Sequence, residues 1–212
     1  MTDYEARAGL WHAVALCLVA GFVDAIGYFE LGQVFTANMT GNTVLLGASL
    51  VRGDWIALSY AATIGAFALG AAATSLLKLA RVPLPALFFI AGALVVVIAL
   101  ADPATFVALC ALSFVMGLQG GAINSFSGIR LPTVVVTSTL VNLMDALVRR
   151  SFTQSQTPAP PPAQFYHLAA AWLAYGAGGG AAVLAQGALA MPLLVPALLY
   201  GIVALGLYRR KG

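Results

Sequence analysis

Between Leu84 and Ala101 the chain runs eighteen residues without one charged, amide or hydroxyl side chain. A helix needs about 20 apolar residues to cross the hydrocarbon of a bilayer. The run has company. Of 212 residues, 61% are hydrophobic and 8% charged, where soluble domains carry about 25% charge. Such a surface cannot be kept in water, so the expected partner is the lipid bilayer. The basic residues lie between apolar runs and at the C-terminus, as Arg209-Arg210-Lys211. They form no single basic face, which argues against nucleic acid.

The apolar pattern predicts a single membrane domain over 1–212, an all-α polytopic transmembrane bundle of about eight spans. These fall near 10–31, 34–51, 55–78, 84–101, 104–128, 132–148, 165–190 and 192–208. Pro83, Pro103, Pro132 and Pro192 sit at or just before starts, where a missing N–H costs least. The first run contains Asp24 and follows a segment in which Asp3 and Glu5 outnumber Arg7. It reads as a retained helix rather than a cleaved signal. The second and sixth runs are short and polar, so they also suit re-entrant or broken helices.

The second run opens with Phe35-Thr36-Ala37-Asn38-Met39-Thr40-Gly41-Asn42. One hundred positions on stands a diverged echo, Val135-Val136-Thr137-Ser138-Thr139-Leu140-Val141-Asn142. Gly21 answers Gly117, Ala25-Ile26 answers Ala122-Ile123, and Gly65-Ala66 answers Gly176-Ala177. The pattern predicts two repeats, about 10–101 and 104–208, the second lengthened by the Pro-rich loop at 151–163. Four crossings per repeat make the two halves parallel. A re-entrant segment in each half leaves three crossings and inverts them.

With eight spans, Arg7, Arg52, Arg149, Arg150, Arg209, Arg210 and Lys211 lie on one side, and Lys78, Arg81 and Arg130 on the other. The richer side is cytoplasmic by the positive-inside rule, which places both termini there. The pair Lys78 and Arg81 is discordant.

Asp24 is the sharpest candidate for chemistry, because an ionisable group inside a span normally faces a cavity or a partner. Asn38, Thr40 and Asn42 are the polar lining expected beside it, with Gln119, Asn124 and Asn142 from the second half. Interhelical hydrogen bonding is the competing reading of the amides. Asp145, four residues before Arg149, suits an interfacial ion pair, and Glu30 a solvated span end. His12 and His167 read as interfacial, beside Trp11 and Tyr166. The glycines at 176, 178, 179 and 180 read as a close-packing surface. Cys17 and Cys110 read as packing residues. The sequence indicates no catalytic group, metal site or cofactor, and an enzyme is not expected.

The string Ala20-Gly21-Phe22-Val23-Asp24-Ala25-Ile26-Gly27-Tyr28, with Phe35 and Asn38-Met39-Thr40-Gly41-Asn42, resembles the signature of YoaK-type bacterial inner-membrane proteins. Met116-Gly117-Leu118-Gln119 and Thr137-Ser138-Thr139-Leu140-Val141-Asn142 resemble the family's second block. Gly120 after Gln119, and Thr139-Leu140-Val141, depart from its pattern. The resemblance implies an integral protein of the bacterial inner membrane and carries no substrate. The expected function is a small secondary transporter or permease for a small polar solute. The alternative is a non-transporting scaffold or accessory subunit whose polar motifs serve helix packing, a homo-oligomer included.

Overall fold

The computed structural model describes residues 9–123, 125–126, 129–130, 140–145, 147–148 and 162–209. Its helices are α1 (Leu10–Phe29), α2 (Met39–Arg52), α3 (Ala57–Leu79), α4 (Leu84–Ala101), α5 (Thr105–Ala122), α6 (Pro162–Ala188) and α7 (Leu194–Arg209). Between α5 and α6 lie a two-stranded hairpin, β1 (Ser125–Phe126) and β2 (Ile129–Arg130), and a helical stretch at 140–145. Much of the sixth expected span, and the Pro-rich loop up to residue 161, lie outside the described residues. Pro162 and Ala163 already belong to α6.

Five helices, α1, α3, α4, α5 and α6, are long and apolar enough to cross a membrane. Helix α7 is apolar but has 16 residues. The fifth span is shorter than the expected 104–128. It stops at Ala122, and Ile123 turns extended, because Gly120 and Gly121 are weak helix formers and β-branched Ile123 follows them.

Three pairs carry most of the packing: α1 on α6, α3 on α5, and α4 on α7. Helix α1 lies at the centre and also meets α5 and α7. Two of the pairs close in the same way. A Cβ on Gly21 would overlap the Tyr175 carbonyl, and one on Gly178 the Leu18 carbonyl. In the other pair, Gly70 faces the Phe114 carbonyl and Gly117 the Phe67 carbonyl. Small residues let the backbones approach this closely. The crossing thus uses Gly70 and Gly178, not the Gly65 and Gly176 of the expected alignment, both of which face open space.

Side-chain contacts fix the direction of each helix. Glu30, Asp102, Ala108, Leu189 and Pro192 line one cavity. The ends of α1, α4 and α6 therefore lie together with the starts of α5 and α7. At the opposite end Trp11 and His12 lie against Gly206. Lys78 Nζ donates to the Gly121 carbonyl at 2.6 Å, and Thr74 Oγ1 to the Leu118 carbonyl at 3.0 Å, so α3 and α5 finish there too. The start of α3 is tied to the end of α1, where Tyr60 OH donates to the Gln33 carbonyl at 3.4 Å.

Over 34–51 the chain takes the re-entrant course rather than that of a span. After α1 the chain turns through Gly32 and Gln33, both at positive φ, and folds back until residues 36–38 reach Asp24. Only then does α2 begin. It has 14 residues, too few for a crossing. It ends at Gly53, a left-handed cap, and the following Ile56 packs with Leu31 and Val34 near the end of α1. Segment 30–52 therefore enters and leaves at the same end of the bundle. Irregular backbone at such depth is tolerated only when buried against protein or lining a cavity.

Gly178→Leu should force α1 and α6 apart and lower stability in detergent by about 1–3 kcal/mol or more, the usual cost of overpacking. Gly176→Leu, facing open space, should leave the thermal midpoint unchanged.

Candidate functional site

Asp24 sits five residues before the end of α1, about 8 Å along the helix axis, and is fully buried. Its Oδ1 accepts from the backbone N–H of Thr36 at 2.7 Å, Ala37 at 2.6 Å and Asn38 at 3.3 Å. The Thr36 hydroxyl adds a fourth contact at 3.3 Å. Its Oδ2 accepts from the hydroxyl of Tyr175 on α6. One carboxylate thus satisfies the amides of the folded-back chain, at the start of α2 where the helix dipole favours negative charge.

Asn42 does related work one turn into α2. Its Oδ1 accepts from Phe35 N–H at 3.0 Å, and its Nδ2 donates to the Phe35 carbonyl at 2.6 Å. The same Nδ2 reaches Thr63 Oγ1 on α3 at 3.3 Å. A side-chain amide here pairs with a whole peptide unit, as a neighbouring strand would. Asn38 caps α2 by accepting from Gly41 N–H at 3.1 Å, the usual role of Asn at this position. Thr40 is exposed. Phe35 also stacks on Tyr28 of α1, with ring centroids 4.9 Å apart.

Of the second-half candidates, Gln119 and Asn142 do not join this cluster. Gln119 is buried, but its Nε2 donates to the Leu16 carbonyl at 3.0 Å and its Oε1 accepts from Tyr200 OH at 2.8 Å. Leu16 precedes Asp24 by eight residues, about 12 Å along α1. Gln119 ties α1, α5 and α7 at a separate level. Asn142 is exposed on the stretch at 140–145. Asn124 and Arg149 lie outside the described residues, while Asp145 is exposed. Glu30 is exposed, in keeping with a solvated span end. His12, near the start of α1, is buried against the protein. It stacks on Trp11, and its Nδ1 accepts from Gly9 N–H at 3.2 Å.

Two participants escaped the sequence reading. Tyr175 was masked by its Gly- and Ala-rich surroundings, and Thr36 stood inside the motif without being singled out. The available signal was the hydroxyl of Tyr175 in an apolar helix, since a buried tyrosine OH usually finds a partner.

The arrangement is an intramembrane carboxylate that holds a re-entrant chain to α1 and α6 together. Proton exchange at Asp24 would act directly on those bonds. Among the described residues no group of three His, Cys, Asp or Glu could hold a metal.

Asp24→Ala leaves the amides of residues 36–38 without their acceptor, at about 1–3 kcal/mol for each buried unsatisfied group. Hydrogen exchange at these amides should quicken about tenfold or more, with mid-α4 amides unchanged. Tyr175→Phe removes one donor and should give a smaller effect.

Residues 12–206 match a family described as "Protein of unknown function (DUF1275)". The chain is 35% identical over 153 residues to the UPF0700 transmembrane protein YoaK of Bacillus subtilis (strain 168), covering 66% of this chain and 68% of that one. No solved structure matches. The resemblance read from Asp24 and the Asn38–Asn42 string is borne out, and the apolar helices agree with a multi-pass membrane protein. The chain is thus similar to the transmembrane protein YoaK and belongs to the DUF1275 family.

Proposed function

We propose that this is a small secondary transporter or permease for a small polar solute in a bacterial inner membrane. Its working element is segment 30–52, and Asp24 is the ligand or coupling group. The carrying observation is the buried carboxylate that bonds a re-entrant chain on one side and Tyr175 of α6 on the other. Ionisable residues within spans mark solute and ion pathways, and discontinuous helices mark the sites of many transporters.

The reading includes two inverted repeats. The first is α1, segment 30–52, α3 and α4; the second is α5, the segment before α6, α6 and α7. Exchanging the halves turns the α1–α6 pair into α5–α3 and returns α4–α7 to itself, the pairing set observed. In this reading segment 30–52 does not cross, and the described helices of the two repeats are antiparallel.

This topology also removes the discordance in charge. In this reading Lys78, Arg81, Arg130 and Arg209 fall at one end among the described residues, and Arg52 at the other. The positive-inside rule then puts both termini in the cytoplasm.

The second reading, a non-transporting scaffold or accessory subunit, is favoured by one observation: Asp24 and Asn42 spend their bonding capacity within the protein. An untargeted comparison of solutes in cells with and without the protein, followed by proteoliposome flux, separates the two. Asp24→Asn should cut flux of the identified solute about tenfold, equivalent to about 1.4 kcal/mol, with the fold retained. Unchanged flux removes the coupling role, and a wild type that moves nothing leaves the scaffold.

Topology has its own test. On a background without Cys17 and Cys110, Asp54→Cys should label from outside intact cells, and Arg81→Cys only after permeabilisation. The eight-span arrangement requires the reverse.

A further inference from the structure

We propose that the groove between α4 and α7 binds one anionic phospholipid, with an acyl chain in the groove and the headgroup phosphate at Arg209. The groove measures about 490 Å³. Helix α4 is long and apolar enough to cross a membrane, so the exposed face along it meets hydrocarbon. The two helices touch at small residues. A Cβ on Gly92 would lie 3.1 Å from Tyr200 Cβ and 3.3 Å from the Ala197 carbonyl, whereas one on Gly201 would meet nothing within 4 Å. Gly92, Ala197 and Gly201 therefore leave a slot. The bulkier Phe89, Leu198 and Leu205, all exposed, line it as well.

Width decides what fills the slot. No lining side chain carries a polar atom, so ordered water has nothing to hold it there. Left empty, the lining loses its dispersion contacts on that side. From Leu194 to Leu205 the lining runs eleven residues along α7, about 17 Å. The mean cross-section is then about 30 Å², against about 80 Å² for a helix about 10 Å across. A helix of a second copy can rest over such a slot but cannot enter it. A single hydrocarbon chain can.

Charge then chooses among lipids. Arg209 ends α7 and is exposed. It stands four residues after Leu205 and so on the same face, about 6 Å beyond the groove. The end of α4 lies with the start of α7, so α4 begins where α7 finishes and brings the positive end of its dipole there. Arg81, three residues before α4, is exposed at this end too. No acidic residue occurs in 81–90 or 200–209. The guanidinium fork suits phosphate, and basic pockets between membrane helices bind anionic headgroups. Free phosphate meets the charge but leaves the groove unfilled. A zwitterionic phospholipid fills the groove but brings a cationic group to the arginines. An anionic phospholipid satisfies both.

The test uses the full-length protein in detergent at low salt, titrated with palmitoyl-oleoyl phosphatidylglycerol and with the phosphatidylcholine of the same chains. Native mass spectrometry counts retained lipid, and the thermal midpoint is followed. One phosphatidylglycerol should be retained and raise the midpoint, with about tenfold preference over phosphatidylcholine that shrinks as salt rises. Glycerol phosphate, the headgroup alone, should do neither. Arg209→Glu should abolish the preference. Arg52→Glu, the same change of charge at the other end of the bundle, should keep it. Gly201→Leu has open space for its side chain and should block both lipids, and an unchanged midpoint without lipid verifies its fold. Equal binding of the two lipids, a preference that survives Arg209→Glu, binding indifferent to Gly201→Leu, or glycerol phosphate acting as well as the lipid overturns the proposal. So does a dimer that Gly201→Leu dissociates, since a second copy then covers the groove. The lipid site and the transport reading fail separately, because lipid selectivity is read without any solute and flux without any lipid preference.

Discussion

The arrangement depends on one carboxylate taking the place of water. A chain that folds back into a bundle carries amide groups that helix geometry cannot satisfy, and hydrocarbon offers them nothing. Asp24 accepts from Thr36, Ala37 and Asn38, and Asn42 pairs with the peptide of Phe35. With those groups satisfied, α2 can start inside the bundle and return to the end it came from. Burying the charge is costly in turn, and the cost is offset by the amides, the Tyr175 hydroxyl and the start of α2 around it. Carboxylate and re-entrant chain each make the other tolerable.

That local solution sets the global topology. A segment that enters and leaves at one end changes the parity of the crossings after it. Helix α3 then runs with α5, and both run against α1 and α6. The pairs α1–α6 and α3–α5 are therefore parallel pairs, close enough at Gly21, Gly178, Gly70 and Gly117 that each glycine faces a carbonyl of its neighbour. Adding Cβ atoms at these points would separate the helices that keep segment 30–52 enclosed. Packing and polar bonding thus serve one end.

Much of this was legible in the residues. The apolar runs located the long helices, and Asp24 with the Asn38–Asn42 string was conspicuous, because a charge and amides stand out against hydrocarbon. The direction of α2 was left open between a short span and a re-entrant segment. Hydropathy measures length and polarity, and a 14-residue helix after a polar loop scores like a short span. The turn is made by long-range bonds from Asp24 and Asn42, which leave no periodic trace. The proposed gathering of Gln119 with Asp24 failed for a related reason. Shared polarity does not set depth, and Gln119 finds the Leu16 carbonyl and Tyr200 at another level of α1. In the proposed topology Arg81 and Lys78 cease to be discordant, because the crossing before them is no longer counted.

The proposed repeat also makes the halves unequal in a way that bears on mechanism. The two close crossings equate Leu18 and Gly21 with Phe114 and Gly117, and Phe67 and Gly70 with Tyr175 and Gly178. In that register Asp24 corresponds to Gly120, and its partner Tyr175 to Phe67. Carboxylate and hydroxyl are thus both missing from the equivalent positions, leaving neither an isolated charge nor an isolated hydroxyl. Losing the pair together is physically consistent, since a buried charge without its donors is far more costly than an apolar replacement of both. The carboxylate latch then belongs to the first half alone. In the proposed repeat, protonating Asp24 would weaken the hold on segment 30–52, while Gly120 and Phe67 supply no carboxylate–hydroxyl pair to respond.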